Sequence, residues 1–282
     1  MPRSMTDAAR PTVADTIRTA SDRLSATSET ARLDAELIMA HVLGIARSDM
    51  LLRAMRDEAP AEFGALVDRR ARCEPVAHIL GHQEFYGREF LVTPDTLIPR
   101  GDSEVLVEAA IELKRDAERI LDLGTGSGAL LLSVVTETQG NGVGTDRSPA
   151  ALAVAHDNAD RLGIEDRVRF HLLDWREEGW ADDLGRFDLI LCNPPYVEEA
   201  AQLDTDVRDF EPHSALFAGP EGLDDYRIII PQLRNLMTDR GVAILEIGHE
   251  QSGAVSEIAR AAGFEVALRR DLANRPRALI LT

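Results

Sequence analysis

The spacing of apolar positions changes along the chain. In SETARLDAELIMAHVLG, Leu33, Leu37 and Ala40 recur at helical intervals, with Ser28 as an N-cap and Gly44 as a stop. PAEFGALVDRRARC repeats the pattern: Pro60 starts it, Phe63, Leu66 and Val67 follow at helical spacing, and Arg70 lies beyond. Four or so short helices are therefore expected before Glu74-Pro75, forming a small bundle that docks a partner or holds a substrate. Between Gly81 and Pro99, Phe85, Tyr86, Phe90, Leu91 and Val92 flank Gly87, the pattern of a β-hairpin bridging two domains. From Arg119 onward strands alternate with helices. RILDLG, GVGTD, RVRFHLLD, FDLILCNPP, GVAILEIG, FEVALRRD and PRALILT read as strands. ALLLSVVTET and SPAALAVAHDNADRLG read as helices, the latter capped by Ser148 with Pro149 at its first position. This predicts an α/β fold: a doubly wound, mostly parallel seven-stranded sheet. The expected division is an N-terminal helical domain over 1–80, a hairpin linker over 81–99 and the sheet domain over 100–282.

Charge narrows the partners. The formal net charge is -18, from 49 acidic and 31 basic residues. Such a surface repels phosphate backbones, so no direct nucleic-acid partner is expected, and a basic protein partner suits it. The cysteines are Cys73 and Cys192, with no C-x-x-C, which argues against a disulfide scaffold or a zinc site and fits a reducing compartment. The opening MPRSMTDAARPTVAD has no apolar signal-peptide core, and no apolar run approaches the ~20 residues of a membrane span. A cytoplasmic protein with no membrane partner is expected, with disorder before about Thr12.

Two stretches carry chemistry. In LDLGTGSGAL, Gly124, Gly126 and Gly128 follow a strand and open a helix, so the backbone can turn sharply and approach a ligand. The helix N-terminus favours an anionic group. Asp146 ends the next strand about 20 residues on, where a carboxylate accepts both ribose hydroxyls of an adenosine-type cofactor. Asp174, in LLDWREE, can accept from an adenine amino group, and Trp175 can lie against the ring. Gly124-x-Gly126-x-x-Ala129 also satisfies the loose dinucleotide pattern, so NAD stays open on the glycines alone. Asp122 tips the balance away from it, because dinucleotide folds usually carry an apolar or small residue there.

The second stretch is LILCNPPYVEE. Pro194 and Pro195 donate no backbone hydrogen bond, so the strand stops and leaves Asn193 at its carboxyl end, where open α/β sheets place ligands. His78 and His82 are four apart with no third ligand, so no metal is expected. Cys192 has no neighbouring cation or histidine in sequence and reads as a buried small side chain. Asp206–Pro212, DVRDFEP, reads as an acidic loop near the site.

Together, DLGTGSG, TD, DW and NPPY on successive strands resemble the class I S-adenosylmethionine-dependent methyltransferases that act on planar nitrogen. ARLDAELIMAHVLG, EPVAHILGHQEFYGREFLVTPDTLIPRGDSEVLVE, DVRDFEPHSALFAGPEGL and RDLANRPRALIL extend the match. They resemble the release-factor glutamine methyltransferases (HemK/PrmC type), from about Ala31 to the end. Gly101 is a departure, standing where the family usually has proline. The resemblance implies S-adenosyl-L-methionine as cofactor, S-adenosyl-L-homocysteine as product, and the glutamine of the Gly-Gly-Gln loop of class I peptide-chain release factors as substrate. It implies that Gly124, Thr125, Gly126, Ser127 and Gly128 cradle the methionine part, Asp146 the ribose, and Asp174 and Trp175 the adenine side. Asn193, Pro194, Pro195 and Tyr196 would hold the target amide, with Asn193 also reaching the cofactor. The chemistry is consistent with this. An amide nitrogen is a poor nucleophile because its lone pair is delocalised. The Asn193 side-chain oxygen and the Pro194 carbonyl can accept both N–H bonds of a primary amide, favouring a more pyramidal nitrogen. Tyr196 would pack on the flat amide or on the preceding backbone.

Rival readings are methylation of a ribosomal protein's glutamine, N6-adenine methylation of DNA, and a regulator that binds the cofactor without transfer. The acidic balance and the lack of a basic insert weigh against the DNA reading. The intact NPPY weighs against the regulator.

Overall fold

A computed structural model describes residues 11–282 of the chain, so the expected disorder of the first residues lies outside the described part. The chain divides into two units. One comprises the described residues up to Gly81 together with Thr205–Phe210; the other comprises His82–Asp204 and Glu211–Thr282.

The first unit is helical, with helices Val13–Leu24, Ala31–Leu43, Phe63–Arg70 and Val76–Leu80, and a short turn Arg47–Asp49 running into a π-helical Met50–Ala54. Ile17, Leu24, Ile38, Met39, Phe63 and Val67 close its core. Two details depart from the periodicity. Ser28 does not cap the second helix: it donates to Asp34, and the helix starts at Ala31 behind Thr30. That helix also buries Ala35, Ile38 and Met39, while Leu33 is 41% exposed. Its sequence is apolar nearly all round, so spacing alone admits either face. The buried face also carries Asp34, whose carboxylate takes the Arg70 guanidinium at 2.7 Å. Both groups are buried, so neither would tolerate losing the other. Thr205–Phe210, expected as loop, is a helix of this unit, and Asp206 lies 3.7 Å from Arg70.

The second unit opens with a hairpin, β1 (His82–Phe85) and β2 (Arg88–Leu91), paired antiparallel with Gln83 opposite Phe90. Tyr86 (φ 50°) and Gly87 (φ 70°) form its two-residue turn, in which both positions need positive φ. The hairpin was expected to link domains, but it belongs to the second unit. Phe85 and Phe90 are buried in the same core as Leu106 and Leu131, and the Tyr86 N–H donates to Glu104 Oε1 at 2.8 Å. Buried Asn158 fastens β2 further: its amide accepts from Leu91 N–H and donates to Leu91 O and Ser127 O.

Beyond the hairpin come β3 (Arg119–Leu123), β4 (Asn141–Asp146), β5 (Val168–Leu172), β6 (Phe187–Cys192), β7 (Met237–Glu246), β8 (Val266–Arg270) and β9 (Pro276–Leu281). They form one seven-stranded sheet in the order β5-β4-β3-β6-β7-β9-β8. All neighbours are parallel except β9, which runs antiparallel to β7 and β8. This is the doubly wound, mostly parallel sheet expected from the alternation. Central β3 and β6 are largely apolar and, apart from Arg119 and the half-buried Asp188, buried, as expected of parallel strands covered by helices. The chain moves outward from β3 through β4 to β5, then returns to β6 on the other side of β3. The carboxyl ends of β3 and β6 therefore flank the topological switch point, where such sheets bind ligands.

Candidate active site

The register sets the site. Leu123 pairs with Cys192, so the residues that follow, Gly124 and Asn193, leave neighbouring strand ends side by side. Both line one cavity, which also takes in Thr125, Gly126, Ser127, Asp146, Asp174, Trp175 and Pro195. Gly128, Pro194 and Tyr196 are not among its lining residues. Part of its remaining wall comes from the hairpin and the segment after it, including Phe85, Leu97 and Arg100, and from Pro212, Ser214 and Ala215.

The glycine turn needs its glycines for different reasons. Gly124, Gly126 and Gly128 have φ of 72°, 55° and 82°. A Cβ on Gly124 would also meet the Trp175 ring at 3.1 Å, and one on Gly128 would meet Leu132 at 2.9 Å. Gly128 thus serves the packing of the helix Ala129–Glu137 rather than the cavity wall. The turn is held from β4: Gly124 and Thr125 N–H both donate to Thr145 O at 2.9 Å. Asp146 accepts from Gly126 N–H on one oxygen and from Ser148 N–H on the other, each at 2.9 Å. Each carboxylate oxygen keeps a further lone pair, so this fixed carboxylate can still accept two hydroxyl donors in the cavity.

Asp122 lies beneath the turn and is 1% exposed. Its Oδ2 accepts from the Thr125 hydroxyl at 2.7 Å, and its Oδ1 is buried without a partner while the residue lines the cavity. Burial, offset in part by the Thr125 hydrogen bond and reinforced by Asp146, pushes its carboxyl up to about 7.

On the other side, Trp175 is locked in place. Its indole N–H donates to Asp225 Oδ1 at 2.9 Å, and the same fully buried carboxylate takes the Arg176 guanidinium at 2.9 and 3.1 Å. Asp174 turns one oxygen to Arg176 N–H at 3.0 Å. The pocket thus pairs an aromatic plate with two anchored carboxylates, and a glycine turn opens a helix between them. The buried, unpartnered Asp122 oxygen and the glycines whose Cβ atoms would crowd the turn fit a bound adenosine-type group with a polar tail.

Asn193 is partly exposed, and its side chain makes no hydrogen bond to another described residue. The Pro194 carbonyl likewise accepts none. The Asn193 oxygen is thus a free acceptor on the cavity wall, while Pro194, the next residue, is buried and does not line the cavity. Cys192, directly before them, is buried, and burial pushes its thiol well up, so it is no nucleophile. Tyr196 turns its hydroxyl toward Glu246 Oε1, at 3.1 Å. Among the described residues no cluster of three or more His, Cys, Asp or Glu could hold a metal ion. No described helix is long and apolar enough to cross a membrane.

Sequence reading missed Asp225, Glu246, Gln251 and Asn158. Glu246 left a signal: a carboxylate inside the apolar run VAILEIG needs a buried partner. Asp225 and Asn158 left none, since acidic and amide residues on helices are usually solvated.

Family models match twice, a PrmC N-terminal domain over residues 15–81 and a methyltransferase domain over residues 114–248. A release factor glutamine methyltransferase of Cereibacter sphaeroides is 41% identical over 272 residues, covering 94% of this chain and 96% of that protein. Another, from Moorella thermoacetica, is 42% identical, covering 83% of this chain and 84% of that protein. A third, from Bordetella pertussis, is 43% identical and covers 86% and 92%.

Proposed function

The chain belongs to the release factor glutamine methyltransferases, and from that premise we propose that it methylates the side-chain amide nitrogen (N5) of the glutamine in the Gly-Gly-Gln loop of class I peptide-chain release factors, using S-adenosyl-L-methionine. The observation that carries this reading is the Asn193 side chain, which lines the cavity formed by the glycine turn with no hydrogen bond to another described residue and is followed directly by the Pro194 carbonyl, which accepts none. A primary amide has two N–H donors, and these two oxygens match them.

The cofactor supplies an electrophilic methyl group on a sulfonium. The residues that would hold it are Gly124, Thr125, Gly126 and Ser127 of the turn, Asp146 for the ribose hydroxyls, and Asp174 with Trp175 for the base. Asn193 and Pro194 orient the substrate nitrogen by accepting hydrogen bonds from its two N–H groups, in a geometry that turns the nitrogen lone pair toward the methyl group. Fixing the nitrogen toward the methyl group is a proximity effect worth up to about 7–11 kcal/mol of barrier. No strong base is needed before attack, because the nitrogen becomes acidic only once methylated. Pro195 stiffens the segment. The net charge of -18 attracts a basic, ribosome-directed protein and disfavours a nucleic-acid substrate. Such a substrate places the reaction in the cytoplasm.

The test is Asn193→Ala. Cofactor affinity, measured by calorimetry, should persist, while methyl transfer to a purified release factor falls by roughly 10²–10³-fold, the usual effect of losing one positioned polar group. A variant that methylates at the wild-type rate refutes the assignment, and transfer to a ribosomal protein but not to the release factor refutes the substrate.

A further inference from the structure

Asn193–Tyr196 has a mechanical problem. The ladder of β6 ends with Cys192 opposite Leu245. Two of the next four residues are prolines with no N–H to give. Among the described residues, no backbone–backbone hydrogen bond involves positions 193–196; the next are Val197 N–H to Leu216 O at 2.8 Å and Ala218 N–H to Val197 O at 2.9 Å. The stretch that must present two acceptors accurately is thus unsupported by the sheet.

Its support comes through Tyr196, at both ends of that residue. The phenol hydroxyl reaches Glu246 Oε1 at 3.1 Å. Glu246 is the last residue of β7, 2% exposed, and its backbone carbonyl is held by the Tyr226 hydroxyl at 2.7 Å. The backbone carbonyl of Tyr196 accepts from Gln251 Nε2 at 2.9 Å. The same amide donates to Gly222 O at 3.2 Å and accepts Gly248 N–H at 3.1 Å, so its orientation is fixed. Gly222 permits this: a Cβ there would sit 2.2 Å from Tyr196 O. Neither Glu246 nor Gln251 lines the cavity.

We infer that Glu246 and Gln251 are positioning residues, which fix the Asn193–Tyr196 segment for amide binding by holding Tyr196 at its hydroxyl and its carbonyl. Tyr196 is the lever of the site, and its hydroxyl is engaged away from the cavity. Burial raises the carboxyl of Glu246, with Ser103, Arg277 and Tyr196 offsetting part of that cost. A buried carboxyl that the fold keeps despite its desolvation fits a role in orientation.

The inference rests on the proposed glutamine-methylating site, and the experiment separates the two. The full chain is compared with Glu246→Met, Glu246→Gln, Gln251→Leu and Tyr196→Phe. The measurements are S-adenosylmethionine affinity, kcat and KM on a purified release factor, and hydrogen exchange across Leu189–Glu199 against β3. Glu246→Met should keep cofactor affinity and lose kcat by about 10²-fold, the effect of a small misplacement of a reacting group. Exchange should rise across Leu189–Glu199 while β3 is unchanged. Glu246→Gln, whose amide oxygen can accept the same hydroxyl, should recover most of kcat. Tyr196→Phe should match Glu246→Met, with the double variant no worse than either. Gln251→Leu should raise exchange over the same stretch, which keeps the test open if Glu246→Met does not fold. Wild-type kcat and exchange in Glu246→Met and Gln251→Leu overturn the inference, as does a kcat loss that Glu246→Gln does not recover. If the wild-type chain transfers no methyl to the release factor, the functional reading fails, and the exchange measurement still decides this one.

Discussion

Gly124→Ala and Gly126→Ala should destabilise the ligand-free protein unequally. Both residues have left-handed backbone, with φ of 72° and 55°, so alanine at either position costs about 1–2 kcal/mol from the conformation alone. The space around them differs. A Cβ on Gly126 would meet nothing within 4 Å, whereas one on Gly124 would lie 3.1 and 3.2 Å from Cη2 and Cζ3 of Trp175. The ring must give by a few tenths of an ångström, and it is held: its N–H is on Asp225, and its carbonyl accepts from Gln232 at 3.3 Å. Overpacking against a fixed group adds about 1–3 kcal/mol. Gly124→Ala should therefore cost about 2–5 kcal/mol and Gly126→Ala about 1–2, measured by urea unfolding without cofactor. Releasing the ring tests the cause. In an Asp225→Ala background, Trp175 loses its acceptor and the extra cost of Gly124→Ala should shrink, a coupling that a double-mutant cycle reads directly. Equal destabilisation by the two alanines, or a difference that survives Asp225→Ala, would refute the claim that a locked Trp175 sets the steric limit of the turn.

Asp122 should give stability a measurable pH dependence. Its carboxyl is pushed up to about 7 in the folded protein against an ordinary value of 3.8, so the folded state holds a proton that the unfolded state releases. Its stabilising contribution is full below about pH 4 and is lost as pH rises toward 7, on the order of 4 kcal/mol across that window. Asp122→Asn should therefore gain on wild type from about pH 4 to 7 in thermal melts, and parallel curves would sink the assignment. Asn158→Leu should cost about 3 kcal/mol or more, because it strands Leu91 N–H, Leu91 O and Ser127 O inside the protein. Its exchange signature should be loss of protection in β2 with β8 and β9 unaffected; an unchanged β2 would show that the hairpin is held by Phe85 and Phe90 alone.

Strand and helix alternation after Arg119 was legible because largely buried strands such as RILDL and FDLILC, stopped by glycine or proline, leave little choice of element. The glycine turn and NPPY were legible for the same reason: a special backbone demands special residues. The first unit was less legible at the level of faces. ARLDAELIMAHVL offers two apolar stripes, and a long-range pair, Asp34 with Arg70, goes with the buried one. No local pattern can contain that pair. Thr205–Phe210 is a sharper instance, since a short acidic segment reads as loop until Arg70 supplies a partner for Asp206.

The same distinction divides the site. Residues that face the cavity, such as Asp146 and Asn193, are constrained by their place in a strand–turn sequence and show as motifs. Residues that hold them are constrained only by what the fold brings near: Asp225 meets Trp175 across fifty positions of chain, as Glu246 meets Tyr196. Tyr196 belongs to both groups. Its motif invites a substrate-stacking role, yet its hydroxyl and carbonyl are both engaged by β7 and the segment after it. The two prolines account for this. They give the segment its stiffness but remove the donors with which a strand end would normally be tied down, so the hold must come from the next residue able to bond, and that residue is Tyr196.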